Sequence, residues 1–377
     1  RIDGQPATLD AALAAAAARL GASRQPLLGG WGCDVAGARA LYRLAVASGA
    51  VCDVAGGEAL NQTLRAMQDR GGYTTTLGEV QARAELIVVV GSWAPQRAPR
   101  LLNRWLAADP STRQTAAPVE LVYLGDDAEV PGEVTVGDRT LTVERIGLDG
   151  DLAQTLARLH ASVAGRTLAD DAAQPALTAL AQRLRASGYA VLAWEAAQLG
   201  PHAGLVIERL YQLVGRLNQT TRAAGFPIGG GLGTSTAQAV HTWLSGLPMR
   251  SRVGPNGLEH DPLRYNAARL LADGAVDLLL WTSAFHAGAP FTPIPTLPAG
   301  RPRIVLGLPA LQGELGDEAD TVFIPVATPG VHASGHLFRV DGIVLMPLHV
   351  IESRRDARLP DVADVVSRLL SRLETGS

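Results

Sequence analysis

The sequence predicts an α/β protein of two three-layer domains with largely parallel sheets, and three observations carry that expectation. Continuous apolar runs such as residues 85–90 (ELIVVV), 189–194 (YAVLAW) and 275–281 (AVDLLLW) have the length of strands buried on both faces. Helical patterns of about 10–15 residues alternate with them, the signature of βαβ units and Rossmann-like sheets. The 377 residues also exceed a comfortable single domain.

In order along the chain, Thr8 caps a helix over residues 11–20 that stops at Gly21. Residues 26–30 (PLLGG) form a buried strand that opens into a turn at 29–32 (GGWG). Asp34 caps the next helix, to about Ala47, and Gly49 ends it. A strand at 50–54 (AVCDV), helices at 58–68 and 77–83, the strand 85–90, a helix at 99–108 and a strand at 119–124 follow. Between residues 125 and 150 the composition shifts, with hairpin-like segments at 130–136 and 140–143. A second α/β stretch reads as helices at 151–163 and 176–186, the strand 189–194 and a long helix at 204–224. After the glycine-rich segment 229–236 (GGGLGTST) come a helix at 262–272 and strands at 275–281, 302–306 and 319–325. A hairpin at 336–346, turned at Asp341-Gly342, and a helix at 360–375 close the chain. The composition shift at 125–150 marks a possible domain boundary.

Composition narrows the function. A 47% hydrophobic and 18% charged content is that of a globular protein. The formal charge of −3 argues against nucleic acid or an anionic membrane as partner. All 33 basic residues are arginine, so no lysine-bearing phosphate loop can exist. Cys33 and Cys52 are the only cysteines, which excludes a four-cysteine cluster or a disulfide framework within the chain. No signal peptide is read, and the run 84–90 is too short to span a bilayer, so a cytoplasmic protein is expected.

The candidate chemistry is thin. The 29–32 turn lies where backbone amides cradle phosphates, but it is not G-x-G-x-x-G, and only Asp53 comes close to the acidic partner such a fold requires. Residues 229–236 read as a loop of close backbone approach, with an anion site on Thr234, Ser235 and Thr236 as the alternative. His332 and His336 sit four apart, but Gly335 and Pro329-Gly330 argue against the helix that would converge them on a metal. Cys33, beside Asp34 at a helix start, is the better nucleophile of the two cysteines, since Cys52 lies inside a strand. Ser92 and Ser283 follow strand ends without a G-x-S-x-G elbow. Arg97, Arg100, Arg104 and the Arg354-Arg355 pair read as solvated charge.

Eight segments in order nevertheless resemble the B subunit of formylmethanofuran dehydrogenase, of the molybdopterin-dependent formate dehydrogenase superfamily. They are residues 32–42 (GCDVAGARALY), 48–51 (SGAV), 73–80 (YTTTLGEV), 84–91 (AELIVVVG), 242–248 (TWLSGLP), 264–266 (RYN), 317–325 (DEADTVFIP) and 338–342 (FRVDG). The resemblance implies the superfamily's fold, in which the chain leaves one α/β domain, builds a second and returns. With the composition shift it implies a first domain at 1-125 plus 272-377 and a second, inserted domain at 126-271. Active members carry an N-terminal cysteine cluster for a [4Fe–4S] centre. They also place a cysteine or selenocysteine on molybdenum or tungsten shortly after the strand corresponding to 50–54. Here residues 55–62 read AGGEALNQ, and Cys52 falls several residues too early.

The pattern is more similar to the B subunit of the bacterial formyltransferase/hydrolase complex, which passes a formyl group from tetrahydromethanopterin to a methanofuran-like carrier and releases formate. That resemblance implies a catalytically silent subunit with no catalytic, cofactor-binding or metal residues, its molybdopterin and [4Fe–4S] lost. Its expected partners are amidohydrolase-like, formyltransferase and glutamate-synthase-like β-helix subunits. Two alternatives stand beside it. One is an active molybdenum- or tungsten-pterin dehydrogenase subunit. The other is an anion- or carrier-binding module built on residues 229–236.

Overall fold

The structure is a computed structural model that describes residues 1–106, 113–166, 175–229, 231–285, 294–295, 297–298, 300–315, 319–351 and 359–375. The chain opens with α1 (Leu9–Ala22), β1 (Pro26–Gly32), α2 (Val35–Ser48), β2 (Val51–Cys52) and α3 (Gly57–Arg70). It continues through α4 (Leu77–Arg83), β3 (Leu86–Val90), α5 (Leu101–Leu106), β4 (Glu120–Leu124), β5 (Glu133–Val136) and β6 (Arg139–Ile146). Next come α6 (Leu152–Val163), α7 (Pro175–Ala186), β7 (Ala190–Glu195), α8 (Ala203–Leu217) and β8 (Ala223–Ile228). The last third holds α9 (Thr234–Ser245), β9 (Ser251–Gly254), β10 (Gly257–His260), α10 (Ala267–Ala272), β11 (Leu278–Ser283), β12 (Arg303–Gly307) and β13 (Thr321–Pro325). A hairpin of β14 (Gly335–Phe338) and β15 (Leu345–Leu348) precedes α11 (Val362–Thr375).

The helix starts follow local chemistry. Thr8, Asp34, Thr76, Asp151 and Asn266 each accept a backbone N–H of the helix they begin, which satisfies an otherwise orphaned donor. Gly49 and Gly246 end α2 and α9 in the left-handed conformation.

Two compact units result: Arg1–Glu58 with Gly230–Ser377, and Ala59–Gly229. Unit 1 has a seven-stranded sheet in the order β10-β9-β2-β1-β11-β12-β13. Its β2, β1, β11, β12 and β13 run parallel, and β9 and β10 extend it as an antiparallel hairpin on β2. Helices α1, α2, α9 and α11 pack together within the unit. Leu27, Val51, Leu279 and Trp281 of the strands cluster with Tyr265 and with Ala267 and Leu270 of α10. Unit 2 has a six-stranded sheet in the order β5-β6-β4-β3-β7-β8, parallel except for β5. Its core combines Val88, Leu192 and Trp194 of the sheet with Leu156 of α6, Leu180 of α7 and Leu210 of α8.

Three expectations are corrected. The domain borders expected at 1-125 plus 272-377 and at 126-271 lie elsewhere. The ELIVVV strand pairs with β4 and β7, not with β1, so everything from Ala59 to Gly229 belongs to the inserted unit. The 125–150 hairpin is no border: β6 pairs in parallel with β4, which makes the hairpin the edge of the second sheet. Finally, the helix expected at 204–224 stops at Leu217. The Asn218 side chain donates to the carbonyls of Val214 and Ala223 and accepts from Ala223 N–H. Residues 223–228 (AAGFPI) then pair with β7, where Pro227 costs nothing that a helix would have required.

The hairpin of β9 and β10, which the sequence pattern does not announce, turns at Pro255-Asn256 into Gly257, whose φ is +103°. The helix expected from 262 begins only at Ala267. Asp261 instead folds the preceding residues into a turn by accepting from the N–H groups of Leu263 and Arg264.

Strand β1 is irregular at its carboxyl end, where its register with β11 shifts between Gly29 and Gly32. Gly30 has a φ of +80° there, and a Cβ on it would lie 2.6 Å from the Thr282 carbonyl oxygen. Only glycine meets both constraints. Gly30→Ala is therefore expected to lose about 1–3 kcal/mol of stability, read as a lowered urea midpoint with unchanged slope.

Candidate functional site

Open parallel sheets take ligands outside the carboxyl ends of their strands, where the strand order reverses. In unit 1 that point lies between β1 and β11, since β1 leads to β2 on one side and β11 to β12 on the other. The Trp31 side chain sits there fully buried, at a φ of +55°, with its Nε1 donating to the Leu28 carbonyl at 2.7 Å. Ala284 N–H bonds the Gly32 carbonyl at 2.7 Å and closes the two strand ends on each other. The glycine-rich loop packs down on the same place: a Cβ on Gly233 (φ +89°) would meet the Cys33 carbonyl oxygen at 2.5 Å. Close approach accounts for Gly233. Thr234 donates its hydroxyl to the Gly231 carbonyl, and the buried Thr236 hydroxyl accepts from Phe338 N–H. Two of the three hydroxyls that the anion reading names, those of Thr234 and Thr236, are thus engaged within the fold.

Unit 2 reverses its strand order between β3 and β7. Here Arg97 donates to Glu195 at 2.6 Å and to the Ser92 hydroxyl at 3.0 Å, bridging the two strand ends. Tyr123 donates to the Gly91 carbonyl and accepts from Asp127 N–H, both at 2.9 Å. Ser92 is thus a partner of an arginine, not a nucleophile beside a base. Arg97 is engaged, whereas Arg100 and Arg104 are exposed. The Arg354-Arg355 pair lies outside the described residues.

The end of β2 is the most charged buried place in the molecule's described residues. Asp53 and Arg250 are both 3% exposed and face each other at 3.4 Å. Asp53 also accepts from the N–H groups of Val54 and Ala267, each at 2.9 Å. Arg250 donates to the Pro262 carbonyl and to Glu58, both at 2.9 Å, and Asn266 reaches the same Glu58 oxygen at 3.3 Å. Arg250 holds this place at a φ of +65°, a strained conformation for a side chain of its size. Burial pushes the Asp53 carboxyl up to about 6, against the lowering pull of Arg250 and of the Ala267 and Val54 N–H groups. The sequence flagged Asp53 only as an imperfect nucleotide residue. No signal within residues 50–62 announces a partner nearly two hundred positions away.

The thiols do not provide a reactive group. Both cysteines are free and buried. Burial, with Asp34 beside it, pushes the Cys33 thiol well up, so the helix start does not activate it. Cys52 is raised by burial and by Asp53. His332 accepts from Thr328 N–H, whereas His336 sits on β14 opposite Pro347, so the two rings do not form a pair. Ser283 ends β11. No cluster of three or more metal-binding side chains occurs among the described residues. The residues after β2 do not fit the thiolate-held metal of the redox relatives: the carboxylate there, Glu58, is already bound by Arg250 and Asn266.

A buried Ser–His pair lies nearby. His241 Nδ1 faces the Leu247 carbonyl at 3.0 Å, and its Nε2 faces the Ser251 hydroxyl at 2.9 Å. The ring is packed edge-on against Tyr42 and Trp31, and Ser251 is fully buried, so no substrate reaches it. Burial and nearby His260 lower the His241 pKa, against the pull of the Leu247 carbonyl. A cleft of about 490 Å³ in unit 1 is lined by Arg252, Arg264, Tyr265 and Arg269. Its rim includes Gln25, the residue before β1, so it lies away from the carboxyl ends. Arg252 pairs there with Glu259 and Arg269 with Asp273.

No protein-family model matches the chain. A curated relative does: the B subunit of the formyltransferase/hydrolase complex Fhc of Methylorubrum extorquens is 30% identical over 375 residues, 99% of this chain and 97% of the relative. The chain belongs to the family of formyltransferase/hydrolase complex B subunits. A crystal structure of that complex (FhcABCD) from Methylorubrum extorquens, solved with methylofuran, agrees with the fold. One of its chains matches with a TM-score of 0.85 and 29% identity, over 100% of this chain and 99% of that one. The resemblance read from the eight segments thus holds over the whole length. Among the described residues no helix is long and apolar enough to cross a membrane.

The buried charges lead to two expected outcomes. Arg250→Met leaves Asp53 uncompensated and is expected to cost about 3–5 kcal/mol in urea unfolding. Adding Asp53→Asn to it is expected to recover part of that loss. His241 is held below its ordinary value of 6.5, so the stability its neutral ring contributes is present above that value and lost as pH falls below it. Between pH 7 and pH 5 the wild-type Tm is expected to fall further than that of His241→Gln.

Proposed function

We propose that this chain is a structural subunit without catalytic activity of its own in a formyltransferase/hydrolase complex. In such a complex a formyl group passes from tetrahydromethanopterin to a methanofuran-like carrier and leaves as formate. The observation that carries the reading is the end of β2. Where the redox relatives hold a metal by a thiolate, this chain has the Asp53–Arg250–Glu58 ion-pair cluster and no cysteine in residues 55–62. The thiolate of the redox relatives has no counterpart here, because both thiols of this chain are held neutral by burial. The molybdopterin and iron–sulfur centres of the redox relatives are, on this reading, lost.

Both strand-reversal points support the same conclusion, because Trp31 fills one and the Arg97–Glu195 pair bridges the other. The chemistry then belongs to the partners: a formyltransferase subunit, an amidohydrolase-like subunit and a glutamate-synthase-like β-helix subunit. The relative's structure was solved with methylofuran, and a carrier of that class is the substrate of the whole assembly. The assembly works in the cytoplasm, a reading supported by the two free thiols.

Purification of the native complex through a tag on this chain is expected to bring the other subunits down in fixed ratio. Elemental analysis of that material is expected to find neither molybdenum nor tungsten in stoichiometric amount. One atom of either metal per chain would overturn the non-catalytic assignment.

A further inference from the structure

Helices α2 and α9 and strand β14 pack against one another in unit 1 and so form one continuous surface. Large apolar side chains stand exposed across it. Trp243 of α9 is 57% exposed and meets Phe338 of β14 with ring centroids 5.7 Å apart. Leu244, Ile343, Leu345 and Met346 are exposed beside them in sequence. Single exposed apolar residues are ordinary, whereas a group containing tryptophan, leucine and methionine is the composition of an interface.

The hairpin itself points the same way. It belongs to neither large sheet, and β14 and β15 pair only with each other. Strand β14 rests on α2 and α9, and Leu345 and Met346 of β15 stand exposed. Its described anchors include the Phe338 N–H bond to Thr236 and the Arg339–Asp341 pair.

Charge selects the occupant. Helix α2, helix α9 and residues 335–348 contain one acidic residue, Asp341, whose side chain is buried and held by Arg339. Arg39 and Arg43 of α2 are exposed, with no ion pair among the described residues. A second copy of the chain, joined by a two-fold axis, would set this basic face against itself. Like charges across such an interface are unfavourable, and no free carboxylate is available on these three elements to relieve them. We infer that the α2–α9–hairpin face is the docking surface for another subunit of the complex, one that presents apolar side chains rimmed by carboxylates. The inference rests on the subunit reading above and adds the face and the chemistry of the partner.

The test uses the full chain and the remaining subunits purified without it, with affinity measured at low and high salt. Arg39→Glu with Arg43→Glu is expected to weaken binding about tenfold or more at low salt, and less at high salt. Trp243→Ala is expected to weaken it by about tenfold or more at both. Because Arg39 and Arg43 are exposed, their reversal leaves the melting temperature near wild type. The charge variant therefore keeps the test decisive even if Trp243→Ala loses stability. Wild-type affinity in both variants would overturn the assignment of this face. So would self-association of the isolated wild-type chain that Trp243→Ala abolishes, since a second copy would then be the occupant. Failure of the wild-type chain to bind the other subunits would overturn the subunit reading, and this face with it.

Discussion

A guanidinium removed from water must find its counter-charges inside the fold, and around Arg250 that demand organises a whole region of unit 1. Its partners come from four places: Asp53 after β2, Glu58 in the first turn of α3, the Pro262 carbonyl, and Cys52, whose carbonyl accepts Arg250 N–H. Asp53 in turn accepts from Ala267 N–H and so fixes the start of α10. One buried ion pair therefore ties the antiparallel extension of the sheet, the turn at Asp261 and the first residues of α3 into unit 1. The positive φ of Arg250 is the strain that this connection imposes.

That constraint also bears on function. The resemblance to the redox family implies a metal held by a deprotonated thiolate just after β2. Here the carboxylates are engaged by an arginine, the thiols are neutral and buried, and the neighbouring strand ends are sealed by Trp31 and by a direct backbone bond. Trp31 and the Gly32–Ala284 backbone bond lie at the strand reversal of unit 1, and the Arg97–Glu195 pair bridges that of unit 2. A distinctive surface of unit 1 is apolar and basic, carried by α2, α9 and the hairpin of β14 and β15.

Much of this was legible along the chain. The caps at Thr8 and Asp34 and the stop at Gly49 act through neighbours within a few residues, so local sequence determines them; helix α9, which follows a glycine-rich loop, is not read from the sequence. The buried runs ELIVVV and AVDLLLW announce strands because no other element buries so short a continuous apolar stretch on both faces. Even the absence of a cysteine after β2 is a statement about sequence alone.

The rest depended on pairing at a distance. Whether ELIVVV lay beside β1 or beside β7 is a matter of which edge was free, and nothing within the run distinguishes the two. The sequence carries the helix from 204 on through Ala223 and Ala224, yet the free edge of β7 and the Asn218 cap draw these residues into a strand. Asp53 and Arg250 carry no mark of each other across the inserted unit. The sequence by itself determined the class of fold, the caps at Thr8 and Asp34 and the missing thiolate, because each rests on contacts between near neighbours or on composition. Only the tertiary structure decided the unit borders, the buried ion pair and the basic apolar face, because each is made by residues that meet only after the chain has left unit 1 and returned.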